Sequence, residues 1–391
     1  MICDWLNEAH GIAGELARLR HDFHAEPELG NREFRTAEKI EAYLRACGLQ
    51  TRRVLDTAVI GRLEGALPGR CAALRADMDA LPLQEQTGAP FASRTPGVMH
   101  ACGHDVHMAA ALGAARLLAA HRGALRGRAV FLFQPDEEGD GGARRMIEAG
   151  ALAGVDAVFG AHVSPDLPVG CAAVRYGKFY AASDVFRVTV TGRSAHGAER
   201  EKGVDALAAA ARLVSDALAL PAAMPRERVV VSIGTFRAGT AGNIVADRAE
   251  LTGIIRTLGP DARAEAKARF REIVRSTAAS FGAAAECDIR ESYPGVVNDE
   301  GMTRLAEDAA RAALGSVRLI EQPTMTTEDF GFFLMERPGS YYHIGAGCAE
   351  PLHSGAFLPT DDAVVSLAAL HAAVADAFLS GLDKAGGSMI E

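Results

Sequence analysis

The sequence has no excess of positive charge. Its 41 Lys and Arg residues face 50 Asp and Glu, a net charge of −9 spread along the chain rather than gathered in a tail. That balance argues against nucleic acid or an anionic membrane as the main partner. No apolar run is expected to reach the roughly 18 residues needed to span a bilayer. The opening residues, MICDWLNEAHGIAGEL, have neither the basic n-region nor the apolar h-region of a signal peptide. No C-x-x-C pair occurs. The seven cysteines (Cys3, Cys47, Cys71, Cys102, Cys171, Cys287 and Cys348) are scattered and odd in number. A disulfide framework is therefore not expected, and reduced thiols in a cytoplasmic protein are. Internal repeats and low-complexity stretches are also missing.

At 391 residues the chain is long enough for two domains. Its 49% hydrophobic and 23% charged content is that of a globular protein with a large core. Helical patterns at AGELARLRHDFHA and REFRTAEKIEAYLRACG lead into strands at AVIGRLEG and CAALRADMDALP. A helix over 106–120, a strand from Ala129 to Phe133, a helix at GARRMIEAGAL and a strand at VDAVFGAHV follow. This alternation predicts an α/β fold with a mostly parallel sheet. Near residue 180 the pattern changes. SDVFRVTVTG alternates with period two, and a β-α-β-β-α-β order over roughly 184–292 is the ferredoxin-like pattern of an inserted domain. From about 293 the α/β character returns.

The stretch MHACGHDVHMAAALGAARLL, Met99–Leu118, packs His100, Cys102, His104 and His107 into eight positions at the start of a helix. Other polar groups also fall where predicted strands end: Asp77 and Asp79, the adjacent Glu137 and Glu138, and His162. His353 comes late, in PLHSGAF. In open α/β sheets, sites form along the carboxyl edge, where loops distant in sequence converge. Thiolate, imidazole and carboxylate together suit Zn²⁺ or Mn²⁺, Co²⁺ and Ni²⁺ rather than Ca²⁺ or Mg²⁺. Five ligands from four segments are many for one ion and about right for two that share a bridging water. The adjacent glutamates diverge, so one can hold metal while the other faces the water and moves its proton. Taken singly, the acidic run DEEGDGG is an ordinary helix N-terminus, and His162 an ordinary half-buried histidine. The constellation is what gives them meaning.

These motifs, with GRSAHGA, TEDFGFFLMERPGSYYHIGAG and LHSGAF, resemble the M20 metallopeptidase clan, and within it the amidohydrolase branch of aminoacylases, hippurate hydrolases and N-acetyldiaminopimelate deacetylases. The resemblance runs from LRHDFHAEPELG to HSGAFLPTDDA. Cys-Gly-His-Asp is the branch's own motif; elsewhere in the clan a bridging Asp stands at Cys102. The resemblance implies a metal-binding catalytic domain at 1–182 and 293–391, with a ferredoxin-like lid and dimerisation domain at 183–292. It implies two divalent ions held by Cys102, His104, Glu138, His162 and His353. Glu137 would be the general base, and Asp79 the carboxylate that orients ligands. Asp77 stands where other branches have a ligand histidine and is not counted as one. His100 and His107 are taken as orienters of their neighbours. His196 would stabilise the oxyanion, and Asn243 and Arg256 would bind substrate, Arg256 through an α-carboxylate. A strand salt bridge is the plain alternative for Arg256.

The implied reaction is hydrolysis of an N-acyl amino acid by a cytoplasmic homodimer. A dipeptidase or aminopeptidase with the same machinery is the near alternative; it needs an acidic group for a free α-amine, for which Asp136 is the candidate. A non-catalytic metal-binding protein and a dimer whose metal only supports the fold are the distant ones. One departure stands out: Arg200 and Glu201 occupy positions where the family usually has Pro-His after the lid histidine.

Overall fold

A computed structural model describes residues 3–381. The chain forms two compact units. One comprises the residues up to Gly177, Val297–Glu321 and the chain from Asp329 onward; the other is Lys178–Val296 with Gln322–Glu328. The short piece Gln322–Glu328 lies outside the expected 183–292 insertion. It belongs to the second unit because its backbone is bonded there: Ala181 N donates to Thr326 O (3.0 Å) and Thr324 N to Phe179 O (2.9 Å).

The first unit is built on an eight-stranded sheet in the order Gln50–Val54, Ala58–Glu64, Arg126–Gln134, Leu67–Asp77, Ala157–Ser164, Gly339–Gly345, Cys171–Val174, Ser316–Leu319. The middle strands, from Arg126–Gln134 to Gly339–Gly345, all run parallel. Ala157–Ser164 is buried at every position, so it reads as a continuous apolar run, as a strand covered on both faces must. Helix His104–Ala120 packs on helix Asp361–Ser380 and on Ala13–Ala25. At Gly113 the helices approach so closely that a Cβ would lie 2.9 Å from Ala368 Cβ.

Helix Asp361–Ser380 corrects one expectation. It is long and apolar enough to pass for a membrane span, yet 83% of its apolar window is buried inside the fold. It is the core helix, and its apolar character comes from contact on nearly all sides.

The second unit has a four-stranded antiparallel sheet in the order Ala284–Glu291, Ala182–Thr191, Arg248–Thr257, Val229–Ala238. Phe186, Val188 and Val190 alternate inward along their strand. Helices Ala206–Leu218 and Pro260–Ser280 cover them with Leu213, Phe270 and Val274. This is the ferredoxin-like arrangement read from the β-α-β-β-α-β order.

Candidate metal centre

The parallel strands aim their carboxyl ends at one place. Leu67–Asp77 ends in Asp77, with Asp79 two residues on. Arg126–Gln134 runs into the Glu137–Glu138 loop, and Ala157–Ser164 carries His162 near its end. Helix His104–Ala120 begins at a ligand-type residue, and the loop after Gly339–Gly345 brings His353.

Asp79 organises the glutamates. One carboxylate oxygen accepts from Glu137 N and the other from Glu138 N, both at 3.0 Å. Its backbone carbonyl accepts from His104 Nδ1 at 2.8 Å. His162 Nδ1 donates to the Val163 carbonyl at 2.8 Å, which leaves Nε2 facing Cys102 Sγ at 3.3 Å. Both imidazoles are thus turned so that Nε2 is the atom offered to the site. His104 Nε2 is buried with no hydrogen-bond partner among the described residues. Glu138 Oε1 is in the same condition: His353 Nε2 lies 3.1 Å away but without hydrogen-bond geometry. His353 itself adopts φ +62°, a left-handed backbone that costs a non-glycine residue on the order of 1 kcal/mol. Its N–H bonds Ala101 O at 2.8 Å, which ties this loop to the Cys102 segment.

Three groups each bring their ligand atoms within 4.8 Å of one another: Cys102–His104–His162, Cys102–Glu138–His353 and His104–Glu137–Glu138. The first two share Cys102. The electrostatics favour a cation. Burial opposes a charge on His104, but Asp77 and Asp79 outweigh it and push the imidazole up to about 10. Burial also works against ionised Glu138, yet His353 and His104 hold that carboxyl down to about 2. Burial, followed by the field of His107, keeps His162 neutral. One thiol, three imidazoles and two carboxylates, with two buried donor atoms unsatisfied, fit first-row divalent ions.

Asp77 stays a supporting group. Arg75 pairs with it at 2.5 Å and His107 Nδ1 donates to it at 2.6 Å, while His107 Nε2 accepts Val163 N at 3.0 Å. His100 differs from expectation. Both of its ring nitrogens are buried without partners among the described residues, so it orients nothing through a hydrogen bond. Burial lowers it to about 4 and keeps it neutral. Asp136, beside the glutamates, is also committed. It is buried at φ +60°, paired with Arg145 at 3.1 Å, and pressed so close to Gly30 and Gly139 that neither has room for a Cβ.

Sequence reasoning missed a second layer. Asp105 accepts from Arg20 Nε (3.1 Å) and His24 Nδ1 (2.9 Å), and His24 Nε2 reaches Glu85 at 3.2 Å. The available signal was the spacing in LRHDFHAEPELG, where residues four apart share a helix face. Asp329 of TEDFGF joins Arg75 (2.8 Å) and Gln134 (2.8 Å) in the same way.

The remaining candidates lie in the second unit. His196 is exposed, and its Nδ1 accepts Ala198 N at 3.1 Å. Asn243 is exposed on the loop before Arg248–Thr257, where its carbonyl accepts Gly197 N at 2.8 Å. Arg256 makes no salt bridge among the described residues, contrary to the plain alternative. It donates to Met325 O at 2.8 Å, its Nε is buried without a partner among the described residues, and burial lowers its pKa. Arg200 sits in the single turn Arg200–Lys202 and pairs with Asp205 at 3.0 Å.

The profile of peptidase family M20/M25/M40 matches residues 73–377. The chain is 37% identical over 386 residues to thermostable carboxypeptidase 1 of Saccharolobus solfataricus, covering 95% of this chain and 97% of that one. It is 38% identical over 356 residues to N-acetylcysteine deacetylase of Bacillus subtilis, covering 89% and 93%. The crystal structure of the Bacillus subtilis YxeP protein, described as a dinuclear metal-binding peptidase of the M20 family, superposes with a TM-score of 0.86 at 36% identity. That match covers 95% of this chain and 99% of the other. With profile, relatives and fold in agreement, the chain belongs to peptidase family M20/M25/M40 and is an amide-cleaving hydrolase.

Proposed function

We propose that this hydrolase is a metal-dependent amidohydrolase that splits N-acyl amino acids into a carboxylic acid and a free amino acid, acting as a cytoplasmic homodimer. The observation that carries the reading is the pair of donor triads joined at Cys102, with Glu137 beside them. Cys102, His104, Glu138, His162 and His353 would hold two divalent ions of the Zn, Mn, Co or Ni class. When bound, such ions polarise an amide carbonyl and acidify water to a pKa of about 7.

The chain's own groups supply the rest. Asp79 fixes the backbone on both sides of the Glu137–Glu138 peptide, so the two side chains diverge in defined directions. Glu138 turns to the donor cluster and Glu137 takes the proton of the attacking water. Glu137 then delivers that proton to the departing amine nitrogen. His196 accepts a backbone N–H at Nδ1, so its proton sits on Nε2, and that N–H is the donor for the oxyanion. Arg256, half-buried and without a carboxylate partner among the described residues, suits the α-carboxylate of the substrate, with Asn243 as a second polar contact.

The N-acetylcysteine deacetylase relative supports an acyl substrate; the carboxypeptidase relative keeps short peptides as the second reading. Asp136, the residue an aminopeptidase would use for a free α-amine, is taken up by Arg145, which favours the acyl reading. Dimerisation is supported by the edge strand Val229–Ala238, whose Phe236 is 42% exposed. Edge strands offer unpaired backbone groups to a second chain.

The test is amine release from N-acetyl, N-benzoyl and dipeptide substrates. Wild type and Glu137→Gln would each be stripped with chelator and reloaded with Mn²⁺, Zn²⁺, Co²⁺ or Ni²⁺. Hydrolysis of N-acyl amino acids should return with metal, and Glu137→Gln should lose about 10²–10⁴ in kcat with its metal content unchanged. Cleavage of dipeptides alone moves the protein to the peptidase reading. Equal rates in the variant would remove Glu137 as the base, and no hydrolysis in either protein with metal bound would leave a metal-binding protein without this chemistry.

A further inference from the structure

At the far end of helix His104–Ala120 lies a second cluster of donor groups. His121 caps that helix. Its Nδ1 is 3.8 Å from Cys3 Sγ, and its Nε2 is 2.8 Å from a Glu8 oxygen. The three groups have ligand atoms within 4.8 Å of one another. The Trp5 ring meets the imidazole edge-on, with centroids 5.1 Å apart, and limits its rotation. Cys3 opens onto a cavity of about 610 Å³ that Asp4, Trp5, Arg304, Asp308 and Asp376 also line.

We propose that Cys3 and His121 form a separate divalent-cation site of the zinc class, with Glu8 holding the imidazole in place. Zinc bonds of about 2.3 Å to sulfur and 2.0–2.1 Å to nitrogen put two tetrahedral ligands roughly 3.5–3.8 Å apart. The Cys3–His121 separation is at the upper end of that range. Glu8 on the other ring nitrogen reproduces the carboxylate–histidine pairing that fixes a ligand's tautomer and raises its basicity. The position adds to this, because carbonyls at a helix C-terminus favour positive charge.

The surroundings distinguish a cation site from a reactive thiol. Burial, then the carboxylates of Asp376 and Glu8, raise the Cys3 thiol above its ordinary value. That field disfavours a free thiolate nucleophile and welcomes a metal. Asp376, on the same cavity wall, is a candidate third ligand, and the cavity leaves room for water as a fourth. Binding forms the metal–sulfur bond and releases the Sγ proton to solvent. Helix His104–Ala120 has 17 residues; at about 1.5 Å per residue it separates this site from the His104 cluster by about 25 Å. Amide hydrolysis should therefore not depend on it.

The experiment uses the full chain. Wild type, Cys3→Ser and His121→Ala would be stripped with chelator and dialysed against zinc buffered at micromolar free concentration. Zinc per chain would then be measured by plasma mass spectrometry. Wild type should hold one equivalent more than either variant, while all three hydrolyse substrate at the same rate. Alkylation of Cys3 by iodoacetamide, followed by peptide mass spectrometry on wild type, should slow about tenfold or more when zinc is added, because coordinated sulfur is withdrawn from attack. Equal zinc in wild type and Cys3→Ser, or Cys3 alkylation that zinc leaves unchanged, overturns the proposal. The alkylation arm needs no variant, so a folding defect in His121→Ala does not blunt it.

Discussion

His24 is buried between Asp105 and Glu85. Burial works against its charge, but the two carboxylates prevail and raise it to about 9. Asp105 is held well below the usual carboxylate range; burial opposes this, but His24 and Arg20 outweigh it. A histidine raised from 6.5 to about 9 stabilises the fold by up to about 3 kcal/mol. That contribution is complete below pH 6.5, where the unfolded chain is protonated as well, and it is lost as pH climbs through about 9. His24→Gln should therefore be less stable than wild type at neutral pH, and the gap should close above pH 9. Thermal unfolding of both proteins across that range measures it, and parallel curves would remove His24 as the source. This layer was nearly invisible in the sequence, because an isolated Arg or His on a helix reads as a solvated face. The ligand-type residues were legible for the opposite reason. Cys102 and His104 two residues apart, Glu137–Glu138, His162 and His353 each have an ordinary use alone, but together at strand ends they do not.

At the scale of elements, legibility followed pattern strength. The alternation in Ala182–Thr191 gave its strand directly, and strand ends were readable because polar residues interrupt apolar runs there. Gln50–Val54 was missed: QTRRV is polar and half-exposed, an edge strand fixed by its partner Ala58–Glu64 rather than by its own sequence. Helix Asp361–Ser380 lacks an amphipathic period because the fold surrounds it. Its packing with His104–Ala120 depends on Gly113, where a Cβ would also come within 2.8 Å of Leu16 Cδ2. Leu16 can turn aside, but the Ala368 methyl on the core helix has no freedom to do so. Gly113→Val should then lose about 1–3 kcal/mol to overpacking, although Gly is the poorer helix former by a few tenths of a kcal/mol. Denaturant unfolding checks this, and unchanged or increased stability would show that the helices can separate at little cost.

For the whole molecule, the open question is how a second unit can interrupt the first without disturbing it. The pairing of its first and last strands in chain order answers this. Ala182–Thr191 and Ala284–Glu291 lie side by side and antiparallel, with Asp184 opposite Glu291. The chain enters and leaves the ferredoxin-like unit at neighbouring points about 5 Å apart, so the insertion demands little more of its host than a loop does. Its core is also its own: Phe186, Leu213, Phe270 and Val274 pack with one another beneath two helices. Residues 182–292 expressed alone should therefore fold, with mixed helix and strand circular dichroism and a single cooperative unfolding transition. The missing Gln322–Glu328 segment should cost stability but not the fold: its backbone pairs lie at Phe179 and Ala181, outside the excised strands, and within the fragment the Arg228 and Arg256 side chains lose carbonyl partners. Sedimentation of the same fragment tests the proposed dimer: a dimeric fragment places that interface here, while a folded monomer removes it. A fragment without cooperative unfolding would mean that this unit borrows its stability from the remainder of the chain, despite a core that looks complete.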